Sequence, residues 1–96
     1  MKIEKKLNNG DLLITLEGRL DTNTSTELEN EMKDINEVKS ITFDFDKLEY
    51  ISSSGLRLML KYKKLVDNTK IINCNQEVYN IFNMTGFTEM IDIEKA

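Results

Sequence analysis
The stretch ITFDFDKLEYISSSGLRLML, Ile41–Leu60, decides the fold, because its hydrophobic period changes once and the change falls on three serines and a glycine. Ile41, Phe43 and Phe45 alternate with Thr42, Asp44 and Asp46, as a strand with one apolar and one polar face would. Beyond Gly55 the apolar residues return at helical spacing, and the segment reads as a helix to about Asp67. Ser52, Ser53 and Ser54 therefore stand where a strand hands over to a helix. What three hydroxyls do there is the question the sequence poses.

The flanking residues continue the alternation. Lys2 to Leu7 and Leu12 to Leu16 read as an antiparallel pair, with Asn8-Asn9-Gly10 supplying the positive-φ positions of a tight turn. In RLDTNTSTELENEMKDI, Thr24-Ser25-Thr26-Glu27 fits a capping box and Leu28, Met32 and Ile35 repeat at helical spacing, which predicts a short amphipathic helix. Lys70 to Cys74 supplies another strand, and Asn75 caps a third helix carrying Val78, Ile81 and Phe82. Gly86 ends that helix in the left-handed conformation, and Met90 to Ile93 is the last strand. The order β-β-α-β-α-β-α-β predicts one α/β domain over residues 1–96. Its sheet is mixed and mostly parallel, with an antiparallel hairpin strand at one edge and three to four helices on right-handed crossovers.

Composition limits what such a domain does. Ninety-six residues, 40% apolar and 31% charged, suit one compact unit that buries roughly 60–70% of its unfolded surface. No apolar run is long enough to span a bilayer, and MKIEKKL mixes charge with aliphatic residues where a secretory leader is apolar, so a cytoplasmic protein without membrane insertion is expected. The single cysteine, Cys74, permits no internal disulfide and no cysteine-based metal cluster, and reads as a small apolar packing group. The absence of histidine excludes Ser-His-Asp and Cys-His catalysis and His-ligated zinc; no metal or cofactor is expected. Net charge −4 argues against direct nucleic-acid binding, which needs a basic footprint, and against an anionic membrane surface.

The serine turn lies at the carboxyl end of a strand and the amino end of a helix, where open α/β sheets place functional groups. Free N–H groups and the helix dipole favour an anion there, and Gly55 lets a docking group approach the backbone. A structural reading stands beside this: serine is a favoured N-cap, and Ser-Ser-Ser-Gly can simply start a helix. Along that helix Leu58, Met59, Tyr62, Leu65 and Val66 share one face suited to packing on a sheet. Leu56 and Leu60 project away from it, beside Lys63, Lys64 and Asp67, and form either a protein-docking pair or a pair shielded by the first helix. Lys61, Lys63 and Lys64 read as a solvated face or as an attraction for an acidic partner.

GRLDTNTSTELE (Gly18 to Glu29), ITFDFDKLEYISSSGLRLML and QEVYNIFNMTGFTEMIDI (Gln76 to Ile93) resemble, in order and spacing, the successive blocks of a STAS domain, the fold of bacterial anti-sigma factor antagonists. The resemblance implies a switch and not an enzyme. The unphosphorylated domain would bind an anti-sigma factor, often a serine kinase of the histidine-kinase-like ATPase fold, and so free a sigma factor for transcription. Phosphorylation ends that binding, and a serine phosphatase of the PP2C type restores it. The acceptor of the family pattern lies two residues before the glycine, at Ser53, with Ser54 as runner-up. Asp21 and Asp44 match acidic positions near the acceptor, although each also reads as a turn residue or a strand-end carboxylate. Asp21, Thr22, Asp44, Ser52, Ser53, Ser54, Gly55, Leu56, Arg57 and Leu60 make up the implied partner-binding site. Many phosphorylated members carry Asp before the acceptor, where this chain has Ser52. Arg57, four residues on from Ser53, is placed to pair with the phosphate.

Three other readings compete. Hydrolase chemistry lacks a base and a G-x-S-x-G elbow, and a nucleotide module lacks a Gly-rich phosphate loop. Within the fold, STAS domains also serve as non-phosphorylated accessory or scaffold subunits of transport or stress-sensing complexes, using the docking face without the switch.

Overall fold
A computed structural model describes residues 1–33, 35 and 37–96. Asn9 and Gly10 both take the left-handed region, at φ 53° and 88°, and close a two-residue turn between β1 (Lys2–Asn8) and β2 (Asp11–Leu20). Two consecutive positive φ values match the twist of paired strands, so the hairpin starts directly from Asn8 opposite Asp11. The chain continues through α1 (Thr22–Glu31), β3 (Ser40–Ile51), α2 (Ser53–Leu65), β4 (Thr69–Cys74), α3 (Gln76–Met84), a single 3₁₀ turn (Phe87–Glu89) and β5 (Asp92–Lys95).

The five strands lie in the order β1-β2-β3-β4-β5, with β1 antiparallel to β2 and every other pair parallel. Because each new parallel strand is added on the same side, crossovers of one hand deposit all their helices on one face. Phe43 packs on Tyr62 of α2 with ring centroids 6.0 Å apart, and Phe45 stacks on Phe82 of α3 at 6.2 Å. Leu28 of α1 is fully buried in the same core. The opposite face carries Leu13, Thr15, Thr42, Asp44, Lys70 and Ile72, half-buried by one another and covered by no helix among the described residues.

Phe45, Leu48 and Ile51 all face the core at a spacing of three, which an unbroken strand cannot achieve. Two register shifts solve this: between Thr15 and Glu17, and again between Gly18 and Arg19, β3 uses one residue more than β2. Each bulge turns the following side chain over. The strand therefore reaches the serine turn with Ile51 pointing inward.

Several boundaries differ from the sequence reading. The first helix begins at Thr22 behind an Asp21 cap, not behind Thr24, and ends at Glu31. Met32 and Ile35 pack on the core from beyond its end, and Asp34, included in the helical reading, lies outside the described residues. Gly86 takes φ 78° past α3 as expected, but the chain then makes the 3₁₀ turn, so the last strand starts at Asp92. Cys74 is 1% exposed, and burial pushes its thiol up to about 11, the state of a packing group.

The larger correction concerns α2. Leu56, placed in the partner-binding site and read as either a docking residue or one shielded by the first helix, is 7% exposed and belongs to the core, whereas Leu65, read as packed, is 60% exposed. The buried arc is Gly55, Leu56, Leu58, Met59 and Tyr62; it is centred on the first turns, and Leu65 sits in the last turn as the helix leaves the sheet. Leu56→Ala is expected to lower stability by about 2–5 kcal/mol, and Leu65→Ala to leave it within about 0.5 kcal/mol, as read from urea unfolding midpoints.

Candidate functional site
The three serines divide the labour. Ser52 has extended backbone, φ −93° and ψ 174°, and its Oγ accepts from the Gly55 N–H at 3.3 Å, so it is the N-cap of α2. Its own amide donates to the Leu20 carbonyl at 2.8 Å, tying the end of β3 to the end of β2. Ser54 is half-buried, with Oγ 3.3 Å from Thr22 Oγ1 on α1. Ser53, between them, is exposed and takes part in neither arrangement.

Gly55 is fixed by what lies beneath it. A Cβ there would fall 2.7 Å from Ile51 Cγ1 and 3.0 Å from Leu20 Cδ2, so the missing side chain faces the core. This corrects the reading in which Gly55 opens the backbone to a docking group. Its role is to let the first turn of α2 settle on the ends of β2 and β3.

The β2–α1 turn is braced as firmly. The Asp21 carboxylate accepts from the Thr24 N–H at 3.0 Å, while the Asp21 N–H donates to Thr24 Oγ1 at 2.8 Å, a reciprocal cap. The Thr24 hydroxyl donates onward to the Arg19 carbonyl at 2.6 Å. The Thr24 amide, with the Asn23 amide and the Arg19 charge, holds the Asp21 pKa below its ordinary value. The Arg19 guanidinium lies 4.3 Å from the centre of the Tyr50 ring. Arg19 with Tyr50, Leu20 with Ser52, and Thr22 with Ser54 thus form three successive links between the two turns.

The structure does not bring Asp44 to this place. Its carboxylate accepts from the Asp46 N–H and from Asn73 Nδ2, each at 3.0 Å, on the face of the sheet away from the helices. There it steadies Asn73, whose backbone sits at φ 57°. Leu56 is buried and Leu60 half-buried, so the outer surface of α2 below Ser53 is Arg57, Lys61 and Lys64. Lys61 is paired with Glu29 of α1 at 2.6 Å and Lys63 with Asp67, which leaves little of a free lysine cluster. Asp21, Thr22 and the serines do converge. Arg19 and Tyr50 were not singled out from sequence, and Thr24, read as the start of a capping box, is instead the third helical residue of the box that Asp21 caps. The Asp21-x-x-Thr24 spacing could have revealed the cap, but the Arg19–Tyr50 pair depends on bulges that leave no sequence signal. Among the described residues no three His, Cys, Asp or Glu side chains converge to hold a metal ion.

The STAS domain family model matches residues 2–96. The chain belongs to the STAS domain family. Solved structures share the fold of this STAS domain. The anti-sigma factor antagonist SpoIIAA in its unphosphorylated form superposes with a TM-score of 0.82 at 19% identity, covering 96% of this chain and 87% of that one. The Bacillus cell fate determinant SpoIIAA in the phosphorylated form gives 0.74 at 18% identity, covering 96% and 90%. A sulfate transporter family protein from Wolinella succinogenes gives 0.77 at 14% identity, covering 94% and 80%. Among curated proteins, none matches the chain significantly by sequence.

Two measurements test the roles of these side chains. Ser52→Ala removes the cap of α2 and is expected to lower stability by about 0.5–2 kcal/mol, whereas Ser53→Ala stays within about 0.5 kcal/mol in the same unfolding assay. Asp21 titrates below its ordinary 3.8 in the folded state, so its contribution is in place above that pH and is lost as the pH falls through the folded value. Asp21→Asn keeps an acceptor for Thr24 but cannot titrate, and acid unfolding of this variant should lose stability less steeply below pH 3.8.

Proposed function
We propose that this STAS domain is an anti-sigma factor antagonist, a cytoplasmic binding switch and not an enzyme, whose grip on an anti-sigma factor is ended by phosphorylation of Ser53. One observation carries the assignment of the acceptor: of three adjacent serines, two are committed to the fold and only Ser53 stands exposed on the first turn of α2. Ser54, the runner-up, shares its hydroxyl with Thr22. The partner is an anti-sigma factor with a serine kinase of the histidine-kinase-like ATPase fold, and a PP2C-type phosphatase resets the switch. Its output is regulation of transcription through a released sigma factor, without direct contact to nucleic acid.

The contact surface centres on Asp21, Thr22, Ser52, Ser53, Ser54 and Arg57. Leu60 lies at its margin, and Gly55 and Leu56 support it from below. A phosphate on Ser53 adds about −1.5 to −2 charges at a helix amino end, where unpaired N–H groups tolerate them. The domain stays folded. A partner packed on the same turn must instead desolvate a dianion, a penalty of a few kcal/mol and about a hundredfold or more in affinity. Arg57, exposed one turn on, pairs with the phosphate and steadies the modified helix.

A second reading is favoured by the likeness to the sulfate transporter family protein and by Ser52 standing where many phosphorylated members carry Asp. In it the domain is a non-phosphorylated accessory or scaffold subunit. Incubation with the anti-sigma kinase and ATP separates the two. The switch predicts a single phosphate on Ser53, loss of binding for Ser53→Asp and retained binding for Ser53→Ala. Tight binding with no modification would instead favour the scaffold.

A further inference from the structure
Among the described residues β1 has β2 on one side and no strand on the other, so it is an edge. Its outer backbone groups follow from the hairpin. The two-residue turn at Asn9-Gly10 makes Asn8 and Asp11 a hydrogen-bonded pair, and such pairs alternate along an antiparallel ladder. Lys2, Glu4, Lys6 and Asn8 are therefore bonded to β2, while the N–H and C=O groups of Ile3, Lys5 and Leu7 point outward. The side chains of these three turn to the helical layer. Ile3 packs on the core, and the Lys5 ammonium donates to the Glu31 carbonyl of α1 at 2.6 Å and lies 3.4 Å from its carboxylate. Leu7 is 62% exposed. Lys2, Glu4 and Lys6 stand on the open face, where Glu4 lies 3.3 Å from Lys2 and Lys6 is in no ion pair among the described residues.

Edge strands invite pairing, and lysines commonly guard against it. Here the guard fails in one register. Two copies of β1 lying antiparallel about a twofold axis normal to the sheet keep both helical layers on one side, and residues opposite one another share a face. Centred on Glu4, this sets Glu4 against Glu4 and Lys2 against Lys6; centred on Lys6, it sets Lys6 against Lys6 and Lys5 against Leu7. Centred on Lys5, it is self-complementary: Glu4 meets Lys6 twice, the exposed Leu7 meets Ile3 twice, and Lys2 meets the uncharged Asn8. The two central lysines are each drawn to their own Glu31, which compensates their charge. The same register sets the outward N–H and C=O groups of Ile3, Lys5 and Leu7 against one another.

We propose that the β1 edge binds a second copy of this chain, in a twofold dimer centred on Lys5 that joins the two five-stranded sheets into one continuous sheet. One strand from each copy makes a small contact, so the dimer is weak and forms with rising concentration. The axis reverses the strand direction. The two serine turns therefore lie at opposite ends of the joined sheet and both stay uncovered, so dimerisation does not depend on Ser53.

Sedimentation equilibrium of the full chain, from micromolar to millimolar concentration, tests this and should show a monomer–dimer equilibrium. Glu4→Lys sets lysine against Lys6 and Lys6→Glu sets glutamate against Glu4, each at two places in the dimer, so either variant should weaken it about tenfold or more. Both positions are exposed, and the urea unfolding midpoints should match the parent. The two variants mixed should associate with each other, and the double variant Glu4→Lys with Lys6→Glu should dimerise like the parent. Amide hydrogen exchange read by NMR should show Ile3, Lys5 and Leu7 gaining protection as concentration rises. A chain that stays monomeric at millimolar concentration overturns the proposal, even if a strand of another protein adds to the same edge. So does a dimer indifferent to these charge exchanges, or one that leaves the three amides unprotected.

Discussion
The contact on which the site depends is the seat of α2 on the ends of β2 and β3, made possible by the absence of a side chain at Gly55. With a Cβ 2.7 Å from Ile51, the helix could not approach so closely, and the first turn would lift away from the sheet. That seat fixes the direction of each serine. Ser52 is drawn in to reach the Leu20 carbonyl, Gly55 and Leu56 face the core, and Ser54 is carried to α1. The one remaining direction points outward. Ser53 is exposed because its neighbours in the turn are held.

The winding of the sheet decides what kind of site this can be. Doubly wound sheets open a crevice where the strand order reverses, and small ligands bind there. Here the order never reverses, so the carboxyl ends of the strands form a rim along one helical layer. A rim bearing three helix starts, a stacked Arg19–Tyr50 pair and exposed polar groups suits a protein surface, as the proposed antagonist role requires. The same winding separates Asp44 from the serines. Successive residues of a strand point to opposite faces, and a residue that alternates with Phe43 and Phe45 is directed away from every helix.

Much of this was legible in the sequence, and for identifiable reasons. The elements were readable because their periods are clean: Ile41, Phe43 and Phe45 at two, Val78 and Phe82 at four, and Asn9-Gly10 where only a positive-φ turn fits. The serine turn was readable because the period changes there. The burial along α2 was not, since an angular projection puts Leu65 beside the buried Leu58 and Leu56 at the other flank of the arc, and only the depth of contact at Gly55, which seats the first turns and leaves the last one off the sheet, buries Leu56 and exposes Leu65. Nor was the inward spacing of Phe45, Leu48 and Ile51, because bulges are set by pairing with β2 and not by the β3 sequence itself. The Asp21 cap was obscured by a better-known pattern three residues later, in a segment where almost every residue can cap.

A switch of the proposed kind needs no moving part, and the magnitudes explain why. The amino end of a helix stabilises a nearby anion by about 0.3–1 kcal/mol at an exposed position, so the added charge is mildly welcome to the domain that carries it. Burying that charge unpaired under a partner is unfavourable by several kcal/mol. The difference lies almost wholly in the complex. A fold that must serve both states therefore benefits from rigidity at the acceptor, because any slack would let the phosphate swing aside and the partner close over it. The reciprocal cap at Asp21, the Ser52 cap and the Thr22–Ser54 link restrain the turn on both sides of Ser53. In that sense the two committed serines are as necessary to the proposed switch as the exposed one.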